Sequence, residues 1–154
     1  MSRRLTIGGL LEEWLPLELL DRGTGTLLLE ITFESAHRNA AGMVHGGFVM
    51  SALDITRAGA AVAIPEASAR LFGITLSMTT SFLAPVPPGP LYCAGHVTGG
   101  GRTHRFADAR LFAAGEAPRP TGHNRSADET VYATATGTIR VVDLDRASPV
   151  PASA

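Results

Sequence analysis

Residues 46–64, GGFVMSALDITRAGAAVAI, read as a helix that is apolar on nearly every side, with Pro65 directly after it. A helix of that kind has to be covered all round, and proline cannot continue it. Downstream of Pro65 the chain reads only as strand: 69–86, 91–100, 102–115 and 129–142, rich in β-branched residues or alternating in polarity. PVPPGP (85–90), Gly99–Gly101 and the polar stretch 116–128 separate these runs. Upstream, 24–33 reads as one more strand. One buried helix among sequential strands points to an α+β chain, an antiparallel sheet wrapped around a central helix, with the strands paired as a meander. The helix is more apolar than one sheet needs, which points to burial at a subunit contact as well.

The rest of the chain divides around that unit. GLLEEWLPLELL (9–20) reads as a short helix kinked at Pro16, so residues 1–23 form an N-terminal helical segment, 24–143 the domain, and 144–154 a disordered tail. A length of 154 residues with 45% apolar and 18% charged residues suits one globular domain. The net charge of −1 gives no reason to expect nucleic acid or an anionic membrane. No unbroken apolar run reaches spanning length. The start, MSRRLTIGGLLEEW, has no long apolar core, so no signal peptide is read and a cytoplasmic protein is the default. All 13 basic residues are arginine, which removes Schiff-base and P-loop lysine chemistry. Cys93 is the one cysteine, so neither an intrachain disulfide nor a thiolate metal cluster can form, and its apolar surroundings read as those of a buried, inert thiol.

The chemistry concentrates in Asn39–Asp54, NAAGMVHGGFVMSALD. Asp54 is a lone carboxylate in an apolar helix and must be paired, protonated or turned to a cavity. Two readings are open: a weak surface pair with Arg57 at i+3, or a general base or nucleophile tuned by burial and by Arg57. Gly46 and Gly47 at the helix start are either a matter of turn geometry or a place where exposed backbone N–H groups receive a carbonyl oxygen gaining charge. An oxyanion site beside a carboxylate suggests acyl transfer to water. The two lie roughly two helical turns apart, so a carboxylate acting at that oxyanion site should come from a second copy of the chain.

N-x-x-G-x-x-H-G-G followed by x-x-x-x-x-L-D, carried by Asn39, Gly42, His45, Gly46, Gly47, Leu53 and Asp54, resembles the signature of hotdog-fold acyl-CoA thioesterases of the phenylacetyl-CoA (PaaI-like) subgroup. GITLSMTTSFLAPVPPG is similar to that family's central strand, and GGRTHRFADARLF to its G-[KR]-T strand. The resemblance implies a homodimer, or a homotetramer built as a dimer of dimers, with two sheets joined edge to edge and sites at the subunit boundary. It implies that the Gly46 N–H and the Asn39 side chain polarise a thioester carbonyl, next to Gly47. Asp54 of the partner subunit activates water or attacks directly, Thr75 orients the water, and His45 lies near the thioester or only shapes the loop. The substrate implied is a small or medium acyl-CoA, aromatic or aliphatic, and no cofactor or metal is needed.

Arg57 stands where relatives carry small or apolar residues. It either pairs with Asp54 or faces the acyl pocket and selects a polar acyl end. Loop 116–128, with His123, is longer than the family's hairpin there. Arg102 either contacts a CoA phosphate or is a solvated turn residue. His37, His96, His104 and His123 lack zinc-ligand spacing, and Trp14 either covers the acyl pocket or pins the first helix. The competing function is a non-catalytic acyl-CoA-binding module, with Arg57 neutralising Asp54; enoyl-thioester hydration lacks its paired Asp/His signature.

Overall fold

The computed structural model describes residues 11–63, 70–115, 118 and 128–146. A single helical turn, α1 (Leu11–Trp14), precedes strands β1 (Leu17–Gly23) and β2 (Thr26–Phe33). A short 3-10 turn (Ser35–His37) and a loop lead into helix α2 (Gly46–Ala61). Strands β3 (Leu71–Phe82), β4 (Gly89–Gly100), β5 (His104–Ala113) and β6 (Thr130–Asp143) complete the chain. All six strands join one antiparallel sheet in the order β1-β2-β4-β5-β6-β3. Helix α2 lies across one face of it, against β2 to β6. This is the hotdog arrangement that the sequence pattern suggests.

Two expectations are corrected. Residues 9–20 are not one helix, and no boundary falls at residue 23. The helix ends before Pro16, and Leu17 already pairs with Ile31 as the first residue of β1. Burial alternates along Leu17–Gly23, and the hairpin to β2 turns through Gly25 in the left-handed region (φ 70°). The strands also do not form one meander. Sequential strands are neighbours in two runs, β1–β2 and β4–β5–β6; β3 lies at the far edge beside β6, because α2 carries the chain across the sheet before β3 begins. Residues 147–154 of the expected tail lie outside the described residues, as does His123.

Alternation puts one side chain of each strand pair under the helix. Leu27, Leu29, Ile31 and Phe33 of β2 and Leu111 of β5 meet Val49, Ala52, Leu53 and Ala60 of α2. Helix and sheet approach closely because several facing positions are small: Ala107, Ala109, Ala133 and Ala135 are buried there. At Gly95 the fit is tightest against backbone: a Cβ would lie 2.7 Å from the Thr56 carbonyl oxygen. No helix among the described residues is long and apolar enough to cross a membrane.

Gly95→Ala is therefore expected to destabilise the fold by about 1–3 kcal/mol, since the methyl meets helix backbone that cannot rotate away. Gly101→Ala, with nothing within 4 Å of the new methyl, should stay within about 0.5 kcal/mol of the parent. Paired urea titrations measure both; equal midpoints would mean that the helix can lift off β4 without cost.

Candidate functional site

The loop ahead of α2 is held by its own backbone and by two imidazoles. Arg38 and Val44 form an isolated antiparallel bridge, the His45 N–H donates to the His37 carbonyl at 2.8 Å, and the Val44 N–H reaches the Val86 carbonyl at 3.0 Å. The Asn39 Oδ1 accepts from the Ala41 and Met43 N–H groups at 2.9 and 3.2 Å. Its side-chain amide N–H groups take no part in these loop bonds.

His45 caps the helix. Its Nδ1 accepts the Gly47 N–H at 3.0 Å, and its carbonyl accepts from Phe48 at 2.9 Å and Val49 at 3.3 Å. Helix N-termini leave their first N–H groups without intrahelical acceptors. Here every one of the first four is used except Gly46, which donates to nothing among the described residues. One N–H therefore stands open at the positive end of α2. The Phe82 ring borders it: a Cβ on Gly46 would lie 3.3 Å from the ring.

Eight residues further along, Asp54, Arg57 and Thr75 form a second cluster. The Asp54 Oδ1 accepts from the Thr75 hydroxyl at 2.6 Å and from Arg57 Nη2 at 3.0 Å. Arg57 Nη2 also lies 3.4 Å from the Thr75 oxygen, and Nη1 donates to the Ser77 carbonyl at 3.3 Å. Exposure rules out one of the two readings of the pair. The Arg57 side chain is 0% exposed, whereas that of Asp54 is 39% exposed, so this is not a solvated surface pair. Arg57 does not open to a pocket within this chain. Its Nε–H is buried without an acceptor, which costs about 1–3 kcal/mol.

At a rise of 1.5 Å per residue the Gly46 end and Asp54 are roughly 12 Å apart along the helix. The structure thus brings together Asp54, Thr75 and Arg57 in one place and His45, Gly46 and Gly47 in another. Arg102 is exposed on the β4–β5 turn, with no hydrogen bond or ion pair among the described residues.

Sequence reasoning under-reads two residues. Gly137 is the lone glycine within β6, and a Cβ there would overlap the Ser77 carbonyl oxygen and lie 2.5 Å from Arg57 Nη1. An isolated strand glycine is itself a signal of close approach. His37 is buried; its Nδ1 accepts the Glu34 N–H at 2.7 Å, and its Nε2 lies 2.6 Å from the Trp14 carbonyl oxygen. That bond, and not the exposed Trp14 ring, ties α1 down. The Cys93 thiol is fully buried, 3.7 Å from the Ala52 carbonyl, and burial pushes its pKa from 9.0 up to about 12 against the lowering effect of Thr56 and Arg110.

Comparison with known proteins gives a consistent result. The profile of the thioesterase superfamily matches residues 41–118. A Saccharolobus solfataricus protein named as an esterase is 30% identical over 91 residues, which cover 59% of this chain and 63% of that protein. The chain thus matches a little under two thirds of that relative's length. Among solved structures, a conserved protein of Pseudomonas aeruginosa superposes with a TM-score of 0.72 at 21% identity, over 90% of this chain and 98% of that one. A thioesterase family protein of Silicibacter pomeroyi gives 0.70 at 23% identity, over 86% and 89%. The E. coli PaaI protein from the phenylacetic acid degradation operon gives 0.68 at 17% identity, over 86% and 83%.

A protonated thiol with no access to solvent is a poor nucleophile. Iodoacetamide at pH 8.5 should leave Cys93 of the folded protein unmodified and label it fully in guanidinium chloride. Labelling at equal rates in both would show that the core opens at β4.

Proposed function

Because the chain belongs to the thioesterase superfamily, we propose that it hydrolyses an acyl-CoA thioester to a free acid and CoA. The observation that carries this reading is the single uncapped N–H at Gly46, left open where every neighbouring N–H is bonded. A donor fixed at the positive end of a helix stabilises the oxyanion as water adds to the carbonyl carbon. The Asn39 amide N–H groups are available as a second donor, since its oxygen is spent on the loop.

Asp54 supplies the attack, as general base toward water or as nucleophile, with the Thr75 hydroxyl orienting it. A carboxylate roughly 12 Å from the oxyanion donor on its own helix cannot reach the same carbonyl carbon. The working pair is therefore Gly46 of one protomer with Asp54 of the partner subunit. Strand β3 supports a homodimer: it is an unpaired edge of twelve residues carrying exposed Phe72, Ile74 and Leu76. Such an edge invites pairing with a second strand. A dimer of dimers extends the same reading. Substrates in this proposal are small or medium acyl-CoAs, aromatic ones included, with Gly47 beside the thioester, Arg102 meeting a CoA phosphate, and a cytoplasmic setting.

The second reading, an acyl-CoA-binding module without turnover, draws on one observation. The Asp54 Oδ1 is already engaged by Arg57 and Thr75.

Free-thiol release from a panel of aromatic and aliphatic acyl-CoAs separates the two. Hydrolysis predicts turnover by the parent protein and a fall in kcat of about 10²–10⁴-fold in both Asp54→Ala and Asp54→Asn. An Asp54→Ala variant at full rate would falsify the mechanism. No turnover together with stoichiometric acyl-CoA binding would establish the binding module instead. Sedimentation should give a dimer or tetramer; a monomer that still turns over would exclude the shared site.

A further inference from the structure

Arg57 is unusual in a way that stability does not explain. It is the largest fully buried side chain among the described residues, and its Nε–H has no acceptor. Its one anionic partner keeps 39% of its own side chain exposed. Replacing a buried charge by an apolar side chain of similar volume is often neutral or stabilising. The chain nonetheless reserves space for this guanidinium: Gly137 on β6 has no side chain at the one point where a Cβ would strike Nη1 and the Ser77 carbonyl.

The contacts themselves are asymmetric. Both Arg57 Nη2 and the Thr75 hydroxyl donate to Oδ1 of Asp54, and no described residue donates to Oδ2. Nη1 is held in turn by the Ser77 carbonyl on β3, so the guanidinium is fixed at both terminal nitrogens between helix and sheet edge. A carboxylate gripped at one oxygen from two directions loses free rotation about its terminal torsion. The other oxygen is then presented in one direction.

We infer that Arg57 is a positioning residue: seated in the space left by Gly137, it locks Oδ1 of Asp54 together with Thr75 and leaves Oδ2 as the oxygen that meets water or the thioester carbon. This rests on the hydrolase reading above. It also assigns the Arg57–Asp54 contact a role opposite to neutralisation, because one oxygen is held so that the other can work.

The experiment is steady-state kinetics on Arg57→Met, Arg57→Gln and Arg57→Lys, with thermal unfolding of each. Loss of alignment without loss of substrate contacts appears in kcat and not in KM. Arg57→Met should fold with a melting temperature near or above that of the parent, lower kcat by about 10–100-fold and leave KM within about threefold. Arg57→Lys, which can still donate to Oδ1, should recover most of that loss. Arg57→Gln, too short to hold Oδ1 and the Ser77 carbonyl together, should lower kcat in the same sense as Arg57→Met. If Arg57→Met does not fold, Arg57→Gln is read by the same criterion. Parent-like kcat in folded Arg57→Met or Arg57→Gln, or an effect confined to KM, overturns the positioning role and leaves the hydrolase intact. A parent protein that releases no thiol from any acyl-CoA removes the reaction itself, and the positioning role with it.

Discussion

The contact between α2 and the inner face of the sheet is the constraint on which the rest of the molecule depends. It is short-range because the sheet offers alanine or glycine where the helix backbone comes nearest. Gly95 under Thr56 is the clearest case, and Ala107, Ala109, Ala133 and Ala135 widen the same floor. Interiors pack at crystal-like density, so a helix seated this low has one register against the strands. That register sets where every side chain of α2 ends up, including the two that are charged.

The same closeness creates the polar centre. The i,i+3 pair Asp54–Arg57 would be an ordinary surface pair on an isolated helix, worth a few tenths of a kcal/mol. Pressed against β3 and β6, Arg57 is enclosed while Asp54 stays partly open, and Thr75 and Ser77 arrive from a strand about 20 residues away in sequence. At the other end of α2 the effect is local. His45 folds back on its own helix, takes the Gly47 N–H, and leaves Gly46 as the one donor unspent. In the proposed mechanism one helix carries both halves of the site, too far apart to act on one carbon, and that mismatch connects the tertiary fold to the proposed dimer. In that proposal the unpaired outer edge of β3, which also carries Thr75, is where the two copies meet.

Most of the fold was legible before any coordinates. The breadth of the apolar face over 46–64, the β-branched runs and the Pro/Gly punctuation locate α2 and strands β2 to β6 to within a few residues, because these are local patterns imposed by 3.6- and 2-residue periods. The segment 9–20 misled because its leucines fit either period. The Leu17-Glu18-Leu19 alternation, Pro16 and the Gly23–Gly25 turn were the signals for a strand. Asn39, His45, Gly46 and Asp54 were likewise visible as a compact motif, since the loop and the helix they occupy are contiguous in sequence.

What the amino-acid sequence determines by itself is therefore α2, strands β2 to β6 and the two ends of the candidate site, all of it local to one loop, one strand or one helix. The tertiary structure alone decides that β3 lies beside β6 at the edge, that Arg57 is buried and not solvated, and that Gly137 is the residue making room for it. Those outcomes depend on contacts between residues 18 to 80 positions apart. They arise from the volume left between a helix and a sheet once both have formed, and no local period carries that volume.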